Sequence, residues 1–207
     1  MNTTLNTLGS SYISDRDRED LDFYQTPSYA TKTLIEHFDF KSKFIWEPMA
    51  GNGMIAKELT ATSYNVYSTD IVERDFKLNA VLDYFTASSP LPLVGGDFAV
   101  VTNPPYNVAN EFLKHTLEVV QPKTCCVFLP TRYLEGISRY EQIYSKHKPS
   151  KILAYVRRIG CFTLKDIANG KKITDHGVGS AVSYMWLCFD RDSYNNQDTK
   201  TELEWVP

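Results

Sequence analysis

The sequence predicts an α/β fold, a doubly wound and mostly parallel sheet of about seven strands. Three observations predict it. Short apolar runs such as Phe98-Ala99-Val100-Val101-Thr102 and Thr124-Cys125-Cys126-Val127-Phe128-Leu129 recur along the chain. They are apolar throughout rather than alternating, as strands buried on both faces are. Stretches with helical apolar spacing separate them.

Size and composition bound what the chain can be. Its 207 residues suffice for one domain with a sizeable core. Hydrophobic residues make up 43% and charged residues 23%, as in ordinary globular proteins. The formal net charge of -3 gives no global attraction to nucleic acid, so any such binding needs a local basic face. The four cysteines, at 125, 126, 161 and 188, contain no Cys-x-x-Cys pair and read as buried free thiols in a reducing compartment. The four histidines are scattered, so no metal site is expected. No apolar run approaches the roughly 20 residues of a membrane span, and no signal-peptide core opens the chain. A soluble, cytoplasmic protein is expected.

Residues 1–20 are polar and charged and read as a flexible arm. A single domain is expected over 21–190. It opens with Tyr24-Gln25-Thr26-Pro27. Thr26 is a good N-cap and Pro27 suits the first helical position. Ala30, Leu34 and Phe38, with Ile35, then repeat at helical spacing. Free N–H groups at the start of that helix would suit a carboxylate.

The first strand, Lys43-Phe44-Ile45-Trp46-Glu47, runs into Pro48-Met49-Ala50-Gly51-Asn52-Gly53 and a helix from about Met54 to Ala61. Gly51 and Gly53 allow a sharp turn and a close backbone approach to a ligand. A strand, a terminal acid, Gly-x-Gly and a helix in sequence point to a nucleotide-like cofactor. The absence of a third glycine and of a phosphate-loop lysine argues against a dinucleotide or ATP. The second strand ends at Asp70, near the roughly 20-residue distance expected of an acid that bonds ribose hydroxyls. Taken alone, Asp70 reads equally as a solvated loop acid. A weaker third strand over Asn79–Asp83 precedes Tyr84 and Phe85.

Two prolines stop the strand before Asn103. The Asn103 side chain and the Pro104 carbonyl are thereby held at a strand's carboxyl end, where open α/β sheets bind ligands. Methylation of a planar amino nitrogen calls for such an arrangement. That nitrogen shares its lone pair with a ring or carbonyl and is a poor nucleophile. Two fixed acceptors orient it and stabilise the charge that develops during attack. Tyr106 would stack on the ring bearing the amine. Val108, Phe112, Leu113, Leu117 and Val120 then form the buried stripe of a helix.

From Arg132 to Lys172 the balance turns basic, with Arg139, Arg157, Arg158 and Lys172 among ten cations against three acids. This is either a solvated face or one that contacts phosphates. Lys151–Val156 reads as a strand, Ala168–Gly179 as a mobile loop, and Ala181–Asp190 as the last strand. Residues 191–207 read as a polar tail.

Asn103-Pro104-Pro105-Tyr106 resembles the catalytic signature of S-adenosylmethionine-dependent amino-methyltransferases, especially those acting on N6 of adenine in DNA. Tyr24, Thr26 and Pro27 ahead of a helix resemble the segment holding the methionine end of the cofactor. The loop after Glu47 resembles the cofactor loop, with Met49 where many members have Phe. The resemblance covers Asp22 to about Asp190. It implies a Rossmann-like fold with an antiparallel last strand and S-adenosylmethionine as cofactor. It further implies cofactor contacts from Glu47 (to the methionine amino group), Met49, Gly51, Gly53, Asp70, Ile71, Asp83, Tyr84, Asn103 and Phe112. Asn103, Pro104, Pro105 and Tyr106 would be catalytic. Tyr106, Arg158 and Phe162 would hold a flipped base, and Arg139, Arg157 and Lys172 would contact phosphates. DNA is the expected partner. RNA adenine, protein glutamine and an inactive cofactor-binding module remain alternatives, because similar tetrapeptides occur in enzymes acting on the first two. The recognition of a site by a partner chain or a second copy also stays open.

Overall fold

The computed structural model describes residues 24–89, 97–194, 196, 198 and 200–207. The arm expected over 1–20 lies outside the described residues. The elements run in the order α1 (Ser28–His37), β1 (Phe44–Glu47), α2 (Met54–Ala61), β2 (Asn65–Asp70) and β3 (Ala80–Val81). There follow β4 (Ala99–Thr102), α3 (Ala109–His115), β5 (Thr124–Pro130), α4 (Ile137–Arg139), β6 (Lys151–Tyr155), α5 (Leu164–Ala168), β7 (Tyr184–Asp190), α6 (Arg191–Tyr194) and β8 (Glu202–Val206). A wider π-helical turn extends α3 through Thr116–Val120, and another extends α4 through Tyr140–Tyr144.

The sheet order is β3-β2-β1-β4-β5-β7-β6-β8. All neighbours pair in parallel except those of β7, which runs antiparallel to both β5 and β6. The fold is the mixed α/β class the sequence predicts, with one correction. The antiparallel strand is not the last. An eighth strand, β8, follows it and pairs with the outer edge of β6. Leu203, Trp205 and Val206 of the polar tail belong to it. Its two glutamates and the polar run before it hid it, because an edge strand with one solvated face needs little apolar content.

Strand alternation divides the core into two layers. Ile45, Ala99, Val101, Cys126 and Phe128 pack with Ala30, Leu34, Ile55 and Leu59 of α1 and α2. Trp46, Val100, Cys125, Val127 and Leu129 pack with Phe112, Leu113, Leu117 and Ile143 on the opposite face. Adjacent residues of one strand thus face opposite layers, and both layers need apolar partners. This is why β4 and β5 show no polar alternation. Indole groups buried by this packing still find acceptors: Trp46 donates to Thr69 Oγ1 at 2.9 Å and Trp186 to the Ala30 carbonyl at 2.8 Å.

The chain leaves β1 towards β2 on one side and reaches β4 on the other. The order therefore reverses between β1 and β4, and a crevice opens there beyond the carboxyl ends. Glu47, Asp70 and Asn103 stand at that edge. The third strand is shorter than the sequence suggests, only Ala80–Val81, because Asp83 caps a 3-10 turn by accepting from the Phe85 N–H.

Candidate active site

A cavity of about 670 Å³ fills the crevice, within the usual range for a small-molecule site. Eleven of the residues singled out from sequence line it: Tyr24, Thr26, Glu47, Met49, Gly51, Asp70, Ile71, Asp83, Tyr84, Asn103 and Pro105. Five segments far apart in sequence supply them, so their convergence is a product of the sheet order.

The glycine loop is fastened by the acid of the neighbouring strand. Asp70 Oδ2 accepts from the Gly51 N–H at 2.9 Å, and its Oδ1 accepts from the Val72 N–H at 3.2 Å and pairs with Arg74 at 3.4 Å. Gly51 and Gly53 both hold positive φ, 55° and 70°, which glycine adopts without strain. Their roles differ. Gly51 lines the cavity, whereas a Cβ on Gly53 would stand 2.4 Å from the Phe76 ring, on the protein side. Gly53 is needed for packing rather than for approach to a ligand.

Glu47 is wholly buried at the cavity's edge, and its Oε2 has no partner. Burial pushes its carboxyl well above the usual range, the Ala56 amide opposes this, and the Asp70 charge adds to it. Asn52 Oδ1, also on the cavity, is likewise buried and unpartnered.

Asn103 is the most constrained polar group. Its Nδ2 donates to the Tyr24 carbonyl at 3.1 Å and to Thr26 Oγ1 at 3.0 Å. Both donor positions are thereby taken, and Oδ1 is left buried without a partner. The amide is held by its nitrogen so that the oxygen is presented. This corrects the expected role of Thr26. It does not cap α1; Pro27 stands at that position with extended ψ of 142° and no side-chain cap, and the Thr26 hydroxyl serves Asn103 instead. One N–H of the helix start, expected to suit a carboxylate, is also taken. The Asp175 carbonyl accepts the Tyr29 N–H at 3.2 Å, and Gly177 presses on Pro27.

Besides Pro27, Gly53 and the cations, four expected residues stand outside the cavity lining. Pro104 is buried beneath the loop. Tyr106 lies behind Tyr24, with the rings stacked at 5.6 Å. Its hydroxyl is 3.7 Å from Cys161 Sγ, and its carbonyl accepts from Tyr133 Oη at 2.6 Å. Phe112 stacks at 4.9 Å on Tyr84, whose hydroxyl bonds Thr116 at 2.7 Å. Phe112 is therefore core, and only Tyr84 meets the cavity. Phe162 is buried and exchanges two main-chain bonds with Gln25, at 2.8 and 3.2 Å, which anchors the Tyr24–Pro27 segment. Its main chain anchors that segment, and its ring does not line the cavity where a base was expected to meet it.

The cations divide similarly. Arg157 and Arg158 are exposed, bonded to His176 Nε2 at 3.2 Å and the Ser180 carbonyl at 3.4 Å, and Lys172 is exposed. Arg139 is engaged by its own chain. It bonds the carbonyls of Arg132, Tyr133 and Glu135 and Asn110 Oδ1, and it covers the Tyr133 ring at 4.3 Å. Its guanidinium braces the turn after β5, which is a correction to its expected place among the phosphate contacts.

Sequence reasoning missed Gln25, Asn52, Arg74, Asn107 and Cys161. Gln25 and Asn52 were the unspecified middle residues of Tyr-x-Thr-Pro and Gly-x-Gly, so only their spacing was readable. Cys161 meets Asn103 and Tyr106 by tertiary contact alone, and burial pushes its thiol up to about 12, which keeps it neutral.

Among the described residues no cluster of His, Cys, Asp and Glu suits a metal, and no helix is long and apolar enough to cross a membrane. No protein-family model and no curated protein matches the chain. Solved structures do. The 23S rRNA methyltransferase ErmE superposes with a TM-score of 0.52 at 14% identity, over 84% of this chain and 72% of that one. A modification subunit of a putative type I restriction enzyme from Vibrio vulnificus YJ016 gives 0.50 at 13% identity, over 96% of this chain but only 54% of that one. Identities this low show a shared Rossmann-like fold.

Proposed function

We propose that the chain transfers a methyl group from S-adenosylmethionine to the N6 amino group of adenine in nucleic acid, with DNA as the first substrate class. The observation that carries this reading is Asn103, held by both donors of its amide with its oxygen unpartnered at the cavity.

The residues present fit the cofactor. An unpartnered Glu47 oxygen at a cavity edge suits a cationic amino group, whose approach would restore the carboxylate to its charged form. The Gly51 loop suits the close approach of the ligand's main body, and Asp70 retains lone pairs for ribose hydroxyls. Asp83 and Tyr84 would lie against the adenine. The cofactor, when bound, supplies an electrophilic methyl carbon on a sulfonium.

The chain's own contribution is to bind, orient and stabilise. Asn103 Oδ1 and the Pro104 carbonyl accept the two N6 hydrogens, which aims the lone pair at the methyl carbon. Positive charge would build on the amine nitrogen as it takes up the methyl group, and both fixed acceptors would stabilise it. The methylated amine then gives a proton to water, so no strong general base is required. The target base would be flipped or taken from a single strand. Arg157, Arg158 and Lys172 supply the exposed cations that an acidic protein needs for phosphates.

Methyl transfer to RNA adenine or to a protein glutamine would use the same acceptors. Incubation with labelled cofactor and, separately, DNA, RNA and protein tests the choice. The expected product is N6-methyladenine in DNA; label confined to RNA or protein would replace the substrate, and no label in any would refute methyl transfer.

A further inference from the structure

Tyr106 is half-buried, and its ring lies outside the cavity lining among three other tyrosines. Tyr24 lies on it nearly parallel, at 5.6 Å and 15°. Tyr184 and Tyr133 lie against it at 6.2 and 6.5 Å, tilted by 39° and 55°, and Cys161 meets its hydroxyl. These neighbours differ in where they stand. Tyr184 is buried and stacks on Phe128 at 5.2 Å, and Tyr133 is buried beneath Arg139 and bonded to the Tyr106 carbonyl. Tyr24 is half-buried and lines the cavity, while Tyr106 behind it does not. A ring seeking Tyr106 from the cavity therefore meets Tyr24 first.

The Tyr24 backbone stays put whatever its ring does. Its carbonyl accepts from Asn103 Nδ2, and the next residue is paired twice with Phe162.

We infer that the Tyr24 ring occupies the place of the target base on Tyr106, is displaced by an incoming aromatic amine, and so selects bases over amide side chains. The inference rests on the methyl-transfer reading above. An aromatic base replaces one ring stack with another, whereas a glutamine amide would break the tyrosine pair without offering a ring in return. An aromatic pair is typically worth about two- to ten-fold in affinity.

The test uses the full chain and a single-stranded oligothymidylate carrying one adenine. Tyr24→Ala is expected to lower KM for this oligonucleotide by about two- to ten-fold, and Tyr24→Trp, with a larger ring to displace, to raise it. The opposite pair of effects would show that the ring holds the base as a second wall, and would overturn the inference. A second readout does not depend on mutant folding. In protein labelled with 3-fluorotyrosine, the position-24 resonance, assigned by its loss in Tyr24→Phe, should move towards its solvent value on saturation with this oligonucleotide and S-adenosylhomocysteine. Oligothymidylate without adenine should not move it. Methylation by the unaltered chain with an unmoved resonance would overturn the displacement while leaving the parent reading intact; absence of both methylation and binding would sink the two together.

Discussion

At the residue scale, the behaviour of Asn103 follows from which of its atoms are engaged. Its nitrogen is fixed by Tyr24 and Thr26, so truncation removes an acceptor that matters as charge develops. Losing one preorganised group of this kind costs roughly 2.7–4 kcal/mol, or about 10²–10³ in rate. Asn103→Ala should therefore slow single-turnover methylation by about that factor while calorimetric affinity for the cofactor changes far less. Near-normal turnover would remove Asn103 from the chemistry. Glu47 offers a ligand-free test. Its folded pKa lies above its unfolded one, so the native state holds the proton more tightly. The linked stability is greatest below the ordinary carboxylate range and falls as pH rises from there towards the folded pKa. Glu47→Gln should flatten that fall, giving a Tm above the parent's at neutral pH and close to it near about pH 4. Calorimetry across pH checks this, and parallel profiles would show that the carboxylate is compensated in the free protein.

Among elements, the segment after β6 behaves as a strap rather than the mobile loop its glycines and lysines suggest. Gly160 and Gly177 pair so closely that a Cβ on either would stand 1.7 or 1.6 Å from a carbonyl oxygen. Thr174 closes the turn to Gly177, and Asp175 and Gly177 sit on the start of α1. Gly177 also holds φ of 84°, where a side chain costs about 1–2 kcal/mol before any clash. Gly177→Ala should accelerate hydrogen exchange at 174–178 and at the first turn of α1, with β4 and β5 unaffected. Unchanged exchange there would mean the strap contributes nothing to holding the Tyr24–Pro27 segment. Arg139 is a brace of the same kind. Its replacement should lower Tm without touching the salt dependence of nucleic-acid binding.

For the whole molecule, an acidic chain can approach nucleic acid only through a localised cationic face. Arg157, Arg158 and Lys172 are exposed beside the strap. If they touch phosphates, each replacement should reduce the log–log salt slope by about 0.9 on duplex or about 0.7 on single strands. A slope indifferent to all three would leave them as a solvated face. Base-edge readout needs several side chains placed together. Between β5 and β6 the structure places one short helix with its π-turn, and between β6 and β7 the strap with α5. Neither is large enough for a separate reading head, so short or relaxed specificity around the target adenine is expected. Mapping of N6-methyladenine on random DNA checks it, and a strict site of about five or more base pairs read by this chain alone would contradict it.

What the sequence determined by itself was local. Apolar runs located the central strands, paired glycines marked a turn with positive φ, and two prolines ended β4 just before Asn103. Each depends on the covalent and steric preferences of neighbouring residues, which the chain carries wherever it goes. The strand-end acids and the Asn103 tetrapeptide are accordingly legible in the sequence as parts of one sheet edge. Tertiary structure alone decided the rest. It gave the Thr26 hydroxyl to Asn103 instead of α1, turned Arg139 inward, placed Phe112 and Phe162 in the interior, and laid Tyr24 over Tyr106. It also made a strand of Glu202–Val206, which pairs with the open edge of β6 and buries Val206, with Lys151 and His37 meeting its glutamates. These outcomes turn on which donor finds which acceptor across tens of residues of chain. A hydroxyl, a guanidinium or an aromatic ring is competent for several partners, and only the packed fold determines which of them is near.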